Sequence, residues 1–180
     1  AIGLAVKLWR SAPPVQNPLV RVSMDLGPEA YLGNNLTAVF SPDGKLMVQL
    51  VKTPALSGTR LAIRSLTDQK VTLLPGTEGG NDAFFSPDGE WIGFFAARML
   101  KKVSVKGGPP VPICPAPNAR GAAWTEDGRI IANLDGSHLE IVRDDGSGPP
   151  RRLAQQPQSV GEHTWRWPQM LPGGEHILFT

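Results

Sequence analysis

The chain has 180 residues, of which 41% are hydrophobic and 19% charged, and this is enough apolar material for a folded core and argues against a disordered chain. The formal net charge of +2 creates no strong field and gives no indication of nucleic-acid binding. The single cysteine, Cys114, excludes an internal disulfide, and its apolar neighbours predict a buried, unreactive thiol.

The N-terminal region divides into three short segments. Residues 1–10 are apolar up to Lys7 and end in Trp9 and Arg10; since a membrane span needs about 20 apolar residues, we expect them to be the end of a transmembrane segment. A frayed apolar tail or a strand is the alternative. Residues 11–18 contain three prolines and predict an extended linker. Residues 19–24 alternate as a strand does, and we expect this strand to complete the last blade of a ring in the parent protein.

One short turn motif recurs four times along the rest of the chain. It starts at Ser41, Ser86, Thr125 and Leu171, at intervals of 45, 39 and 46 residues. Self-similarity at about 40–45 residues is typical of β-propeller blades. The motif residues that we expect to form the turns are Ser41, Pro42, Asp43, Gly44, Ser86, Pro87, Asp88, Gly89, Asp127, Gly128, Pro172, Gly173 and Gly174.

Backbone sterics explain why this motif forms a turn. Proline presets the first central φ of a type I turn, Asp bonds nearby backbone N–H groups, and Gly takes the positive φ that follows. A type I turn followed by a left-handed Gly is a common connection in β-hairpins. The third and fourth copies depart from the pattern, because Thr125-Glu126 replaces Ser-Pro and Gly173 replaces Asp.

Strand-like runs flank every copy of the motif. First strands are expected at 37–40, 83–85 and 121–124, second strands at 46–51, 91–95, 130–132 and 176–179, third strands at 61–66, 100–105 and 139–143, and fourth strands at 71–74, 111–114 and 151–153. No stretch shows helical periodicity over ten residues with caps. The sequence therefore predicts an all-β fold: a partial β-propeller over 19–180, an open fragment of about three and a half four-stranded antiparallel blades around 35–75, 81–114, 120–154 and 164–180.

Whole phrases of the sequence resemble one family. They are the runs 74–80, 84–96, 100–105, 120–124 and 166–172. They are similar to the WD-like, TolB-type repeats of bacterial membrane-anchored serine/threonine protein kinases of the eukaryotic-like type. The resemblance covers about residues 19–180.

The resemblance implies a place in a larger protein. In that family a cytoplasmic kinase domain precedes one membrane span, a Pro-rich spacer and a propeller on the extracytoplasmic, periplasmic side. We therefore expect a non-catalytic sensing or interaction module at the cell membrane, whose partner is an unknown protein or small-molecule signal and whose remaining blades lie outside the sequence. The glycine-rich loop, His-Arg-Asp and Asp-Phe-Gly motifs of kinases are absent from the 180 residues, so no catalytic residue is assigned and no cofactor is expected in this stretch. ATP and Mg²⁺ would belong only to a parent kinase domain.

Two other functions remain open from the sequence. One is the propeller of a prolyl-oligopeptidase-like serine peptidase, which would carry a Gly-x-Ser-x-Gly elbow downstream. The other is a TolB-like periplasmic binding protein, which would have a cleavable signal in place of a span.

Propeller geometry places candidate binding residues in the loops that lead into the innermost strands, at 76–82, 116–121 and 157–165. Four residues at or beside those strand starts are predicted to face the mouth of the central channel: Asp82, Arg120, His163 and Arg166.

Three further groups of residues favour structural roles. His163 and His176 each follow a glutamate, but neighbouring strand residues point to opposite faces, so no metal site is expected. The basic residues Arg98, Lys101, Lys102 and Lys106 alternate with apolar ones, which predicts a solvated strand face. The tryptophans near the turns, Trp91, Trp124, Trp165 and Trp167, are expected to pack between blades.

Overall fold

The computed structural model describes residues 25–27, 30–31, 38–53, 58–67, 70–153, 165–171 and 174–180. These ranges contain fourteen strands and no helix, and therefore no helix long and apolar enough to cross a membrane. The strands are β1 Ala38–Phe40, β2 Leu46–Thr53, β3 Gly58–Ser65, β4 Val71–Leu73, β5 Asn81–Phe85, β6 Trp91–Ala96, β7 Met99–Ser104, β8 Val111–Pro115, β9 Ala122–Trp124, β10 Arg129–Asn133, β11 Leu139–Arg143, β12 Arg151–Arg152, β13 Gln169–Met170 and β14 Ile177–Leu178. The expectations for residues 1–18 and for a strand at 19–24 lie outside the described residues.

The strands form antiparallel meanders in which consecutive strands are neighbours. The sheets are β1-β2-β3-β4, β5-β6-β7-β8, β9-β10-β11-β12 and the pair β13-β14, which we call blades 1 to 4. The first strands of successive blades contact each other, β1 with β5, β5 with β9 and β9 with β13. They therefore surround a common axis. This arrangement is a partial, open β-propeller, as the recurrence of the turn motif predicted.

The repeated turn, which we call the corner, is held together by its own side chains. In blade 1 the Ser41 hydroxyl donates to Asp43 Oδ1 at 2.6 Å and accepts from the Leu46 N–H at 2.9 Å. Asp43 Oδ1 also accepts the Lys45 N–H at 3.1 Å. Gly44 has φ +69°, the left-handed conformation that the sequence predicted.

Blade 2 repeats this network with Ser86, Asp88 and Trp91, and blade 3 keeps its two hydroxyl contacts although Thr125-Glu126 replaces Ser-Pro. Thr125 Oγ1 donates to Asp127 Oδ1 at 2.6 Å and accepts the Arg129 N–H at 3.1 Å. Threonine carries the same hydroxyl as serine and makes the same contacts. The third corner also forms with Glu126 in place of the proline. Gly89 and Gly128 have φ +73° and +75°.

The fourth corner has no hydroxyl at its first position. The Gly174 N–H donates to the Leu171 carbonyl at 3.1 Å, and Gly174 has φ +72°. Pro172 and Gly173 lie outside the described residues.

The core lies between blades rather than within one layer. One buried cluster joins blades 1 and 2 through residues such as Leu61, Ile92 and Phe94, and a second joins blades 2 and 3 through Leu100, Trp124 and Ile130. Blade 2 thus buries both of its faces against neighbours, and blades 1 and 3 each bury apolar side chains against it.

Lys102 corrects the expectation of a solvated basic face. Its side chain is only 15% exposed. Its Nζ lies 5.0 Å from the ring centre of Trp91 and 5.8 Å from that of Trp124, and 4.0 Å from Asp144 Oδ2. Because Trp124 and Asp144 belong to blade 3, this lysine packs across the interface of blades 2 and 3. Arg98 and Lys106 are exposed, as expected.

Candidate functional site

The loop that leads into blade 2 is firmly attached to blade 1. Thr77 is fully buried; its hydroxyl donates to the Leu74 carbonyl at 2.6 Å and accepts the Leu61 N–H at 3.1 Å. The Gly79 N–H donates to the Thr59 carbonyl at 2.8 Å. This part of the predicted ligand loop 76–82 therefore serves to hold the two blades together and to fix where β5 begins.

The same backbone conformation recurs where three of the innermost strands begin. Four positions before the first corner residue stand Asp82, Gly121 and Trp167, with φ +45°, +91° and +47°. Positive φ is uncommon for non-glycine residues and costs about 1–3 kcal/mol. Its recurrence at one repeat position shows that the fold, and not the residue type, sets this conformation.

In blade 2 this position forms a bulge. The pairing of β5 with β6 shifts register between Asn81 and Phe84, so that one extra residue is accommodated there. Asp82 lies in the bulge and is buried, with 3% of its surface exposed. Asp82 therefore stands at the start of β5.

In blade 3 the equivalent bulge contacts blade 4. The Arg120 N–H donates to the Asn133 carbonyl, and the Asn133 N–H donates to the Gly121 carbonyl, so two residues oppose one. The Arg120 carbonyl is then free to accept the Trp167 N–H at 2.8 Å. An added Cβ at Gly121 would lie 2.8 Å from Trp167 Cδ1, so only glycine fits.

A groove of about 390 Å³ runs along the axial side of the first strands, and we call it the axial groove. It is lined by Val39, Phe40, Pro42, Asp82, Ala83, Phe84, Phe85, Gly121, Ala122, Ala123, Trp124, Trp167, Pro168, Gln169 and Met170. All four blades contribute to it. A volume of this size suits a drug-sized ligand or a few residues of a peptide.

The described residues that line the axial groove are mostly apolar and aromatic. Asp82 is the acidic residue, and no Lys or Arg is found, among the described residues that line it. Phe84 and Trp124 are buried, and their ring centres lie 5.9 Å apart. Phe40 is 57% exposed and offers an apolar wall to solvent.

Two polar side chains complete the lining. Gln169 is exposed on β13. The indole Nε1 of Trp167 is buried and has no hydrogen-bond partner among the described residues. Since buried indole N–H groups nearly always find an acceptor, this donor is a feature that the fold alone does not explain.

The structure separates the residues that the sequence had grouped. Asp82 lines the axial groove, whereas Arg120 and Arg166 are half-buried and are not among its lining residues. Arg166 pairs its backbone with Thr180, its N–H donating to the Thr180 carbonyl at 2.7 Å. His163 lies outside the described residues.

Sequence reasoning missed Phe40, Gly121 and Trp167 as groove residues. A signal was present for Gly121 and Trp167, because both stand four residues before the first corner residue, as Asp82 does. This signal is hard to recognise in the sequence, because three residue types as different as aspartate, glycine and tryptophan occupy the same repeat position.

The remaining reactive groups are dispersed. Among the described residues no three His, Cys, Asp or Glu side chains lie close enough together to hold a metal ion. Cys114 is buried as predicted, and burial, with a smaller contribution from the Glu140 charge, raises the pKa of its thiol to about 11. The pKa of Asp127 falls to about 2, first because of Arg129 and then because of the Thr125 hydroxyl.

Neither a protein-family model nor a curated protein matches the sequence. Solved β-propellers match the fold. TolB from Acinetobacter baumannii superposes with a TM-score of 0.59 at 17% identity, over 80% of this chain and 37% of that one. A protein described as TolB from Agrobacterium tumefaciens gives 0.51 at 20% identity, over 67% and 50%.

The β-propeller domain of the Trilobed protease from Pyrococcus furiosus, which has an open velcro topology, gives a TM-score of 0.50 at 18% identity, over 64% of this chain and 40% of that domain. The chain is a β-propeller repeat region. It spans between 37% and 50% of the length of these three structures. Identities of this order show the fold alone.

Proposed function

We propose that this propeller segment is a non-catalytic binding module whose ligand or protein partner occupies the axial groove. The observation that carries the proposal is the composition of that groove, which brings the exposed Phe40 of blade 1 together with aromatic residues of the next blades, Phe84, Trp124 and Trp167. Concave, mostly apolar sites with a few convergent polar groups are typical of ligand binding.

A catalytic role has less support. The 180 residues contain no Gly-x-Ser-x-Gly elbow and no kinase motif. Cys114, whose thiol pKa is raised to about 11, is poorly suited to act as a nucleophile. A binding role needs only the groove.

We further infer that the parent protein is a membrane-bound serine/threonine kinase with this propeller on the extracytoplasmic side. The support is the Pro-rich stretch at 11–18 and the phrase-level resemblance of the runs 74–80, 84–96, 100–105, 120–124 and 166–172. The structural similarity fits a TolB-like binding protein or a prolyl-peptidase propeller equally well. The coding sequence on either side of the segment distinguishes them, since an upstream kinase domain supports the kinase and a downstream hydrolase domain contradicts it.

The groove assignment is tested with a panel of immobilised decapeptides that spans acidic, basic, polar and apolar compositions, probed with the 180-residue chain. Phe40→Ser should weaken the binding of any retained peptide about tenfold or more, a loss of roughly 1.4 kcal/mol. Val111→Ser is the matched control, because Val111 is 44% exposed on β8, the outermost strand of blade 2. Equal losses in both variants, or no retained peptide, would overturn the proposal.

A further inference from the structure

A second groove, of about 650 Å³, lies on one face of blade 3, and we call it the arginine groove. Ile130 and Val142 of this blade pack against blade 2. Because neighbouring strand residues point to opposite faces, Ile141 and Arg143 lie on the face turned away from blade 2. The arginine groove is on that face, and among the described residues it shares no lining residue with the axial groove.

The arginine groove is strongly basic. Among the described residues that line it none is acidic, and four are arginines: Arg129, Arg143, Arg151 and Arg152. Arg129 and Arg143 lie directly opposite each other in β10 and β11, where like charges repel. Each of these two has a carboxylate beside it, Asp127 for Arg129 and, at 3.3 Å, Asp145 for Arg143.

Arg151 has no such compensation. It is exposed, and it forms no ion pair or side-chain hydrogen bond within the described part of the chain. It lies opposite Ile141 in the pairing of β12 with β11, whereas Arg152 lies opposite Glu140. Since a guanidinium carries five N–H donors, Arg143 also keeps donors for a further acceptor. The groove therefore offers accessible cations to an anionic group.

The interface of blades 2 and 3 shows how this fold meets a cation on the corresponding face. Lys102 of blade 2 lies 4.0 Å from a carboxylate of the next blade, Asp144. On blade 3 the described strands of the next blade are only β13 and β14. The arginine groove thus lacks, among the described residues, the acidic neighbour that Lys102 has.

One edge of β14 is open beside this groove. β14 pairs with β13, and no other described strand pairs with it. Arg129, Ile141 and Leu153 line the arginine groove and also the cleft next to Ile177 of β14, so the two spaces are continuous. An extended segment that adds to an open strand edge gains backbone hydrogen bonds, and its alternate side chains determine specificity. Such a segment beside β14 would lie over Ile141.

We propose that the arginine groove binds an extended acidic segment of a partner protein, which pairs with the edge of β14 and directs carboxylates at Arg143 and Arg151 and an apolar side chain at Ile141. This site goes beyond the proposed function and does not depend on it, because the axial groove has different lining residues. The alternation of a strand requires the acidic and apolar residues to stand two positions apart.

The test uses calorimetry with the 180-residue chain and the peptide Ac-Gly-Glu-Thr-Val-Thr-Glu-Gly-NH₂, which places both glutamates and the valine on one face. Matched peptides carry glutamine or lysine in place of both glutamates. We expect the glutamate peptide to bind about tenfold more tightly than the glutamine peptide, because two exposed ion pairs form. This advantage should shrink as NaCl rises from 50 to 300 mM. Equal affinity of the two peptides, or a preference for lysine, would overturn the proposal.

A variant assigns the cation. Arg151→Gln should reduce the advantage of the glutamate peptide to about threefold or less, since one of the two ion pairs is lost. Arg98→Gln is the matched control, because Arg98 is also exposed but lies outside the arginine groove. Both side chains are exposed, so both variants should fold, and equal urea denaturation midpoints check this. An advantage that is unchanged in Arg151→Gln contradicts the proposal.

Backbone methylation tests the strand pairing. One peptide is N-methylated at both threonines and another at both glutamates and the valine. Because alternate N–H groups of a strand point to opposite edges, one of these peptides should lose about tenfold in affinity and the other should bind as before. Unchanged binding of both would overturn the pairing with β14.

Two further outcomes identify other occupants and also overturn the proposal. If tripolyphosphate displaces the glutamate peptide at equal concentration, the groove binds anions without recognising a strand. If sedimentation velocity shows a dimer of the chain that is lost in Arg151→Gln, a second copy covers this face.

Discussion

Asp82, Gly121 and Trp167 share a left-handed backbone at one repeat position although only one of them is glycine. For Asp82 and Trp167 the conformation is costly, and the surrounding bulges and inter-blade hydrogen bonds must offset that cost. The conformation affects position, because it brings each of these residues to the axial side of the first strand of its blade. The strain therefore coincides with the candidate site.

Gly121 offers the clearest test at this scale. Its φ of +91° disfavours any side chain, and an added Cβ would lie 2.9 Å from the Trp167 Cα. We expect Gly121→Ala to lower the free energy of unfolding by roughly 1–3 kcal/mol, measured by urea denaturation. Gly79→Ala is the control, because Gly79 has φ +70° and nothing within 4 Å of an added Cβ. If both variants lose the same stability, the contact with Trp167 contributes nothing.

At the scale of the element, the corner is a self-contained unit of hydroxyl, carboxylate and left-handed glycine. Each hydroxyl donates to the carboxylate two residues later and accepts a backbone N–H of the following strand. The donated hydrogen bond, together with backbone N–H groups, lowers the pKa of Asp43 and of Asp88. A lowered pKa means that the charged form is favoured in the folded chain.

Thr125→Val tests this network, since it keeps the side-chain shape and removes the hydroxyl. The pKa of Asp127 should rise from about 2 toward its ordinary value while Arg129 still lowers it, as followed by NMR titration of the carboxyl carbon. The pKa of Asp127 is lower in the folded chain than in the unfolded chain. The ionised Asp127 therefore stabilises the folded chain above about pH 4, and this contribution is lost as the pH falls through about 2. At neutral pH the variant should lose about 1 kcal/mol.

Thr72→Val is a suitable control for that variant, because Thr72 is exposed on β4, away from any corner. An unchanged Asp127 titration in Thr125→Val would show that the hydroxyl plays no part in lowering the pKa. If Thr72→Val lost as much stability as Thr125→Val, the loss would come from placing a valine at the surface and not from the missing corner hydroxyl.

The corners and strands could be predicted from the sequence because they depend on neighbours in the chain. Ser, Asp and Gly at fixed spacing determine the turn, and the apolar runs beside them give the strands. Lys102 could not be placed this way, since its environment is made by Trp124 and Asp144 of the next blade. The lining of the axial groove could not be predicted from the sequence, because which side chains share it depends on how the first strands of separate blades lie beside one another; of the predicted binding residues, Asp82 is among those that line it.

At the scale of the whole molecule, stability is shared between neighbouring blades. The two buried clusters each span an interface, and Lys102 and Asn133 add polar contacts across interfaces, the Asn133 amide donating to the Trp165 carbonyl. Opening between blades 2 and 3 would expose Cys114, which belongs to the cluster of that interface.

Cys114 can report such opening. With its thiol pKa raised to about 11, the thiolate fraction at pH 8 is on the order of 100-fold smaller than for an ordinary cysteine. Iodoacetamide labelling of the folded chain should therefore be at least about 100-fold slower than labelling in urea, with Cys114→Ser as the blank. Labelling at similar rates in both conditions would mean that the interface opens freely.

The self-contained corners also have a consequence for the duplication and exchange of blades. Each hydroxyl and carboxylate of a corner forms its hydrogen bonds with atoms of its own blade. Duplicating or exchanging a blade therefore leaves no polar group of this turn without a partner. The interface with the neighbouring blade does have to fit, as Gly121 fits against Trp167. An exchanged blade would therefore keep its corner unchanged, whereas the residues that contact the next blade would have to fit that neighbour.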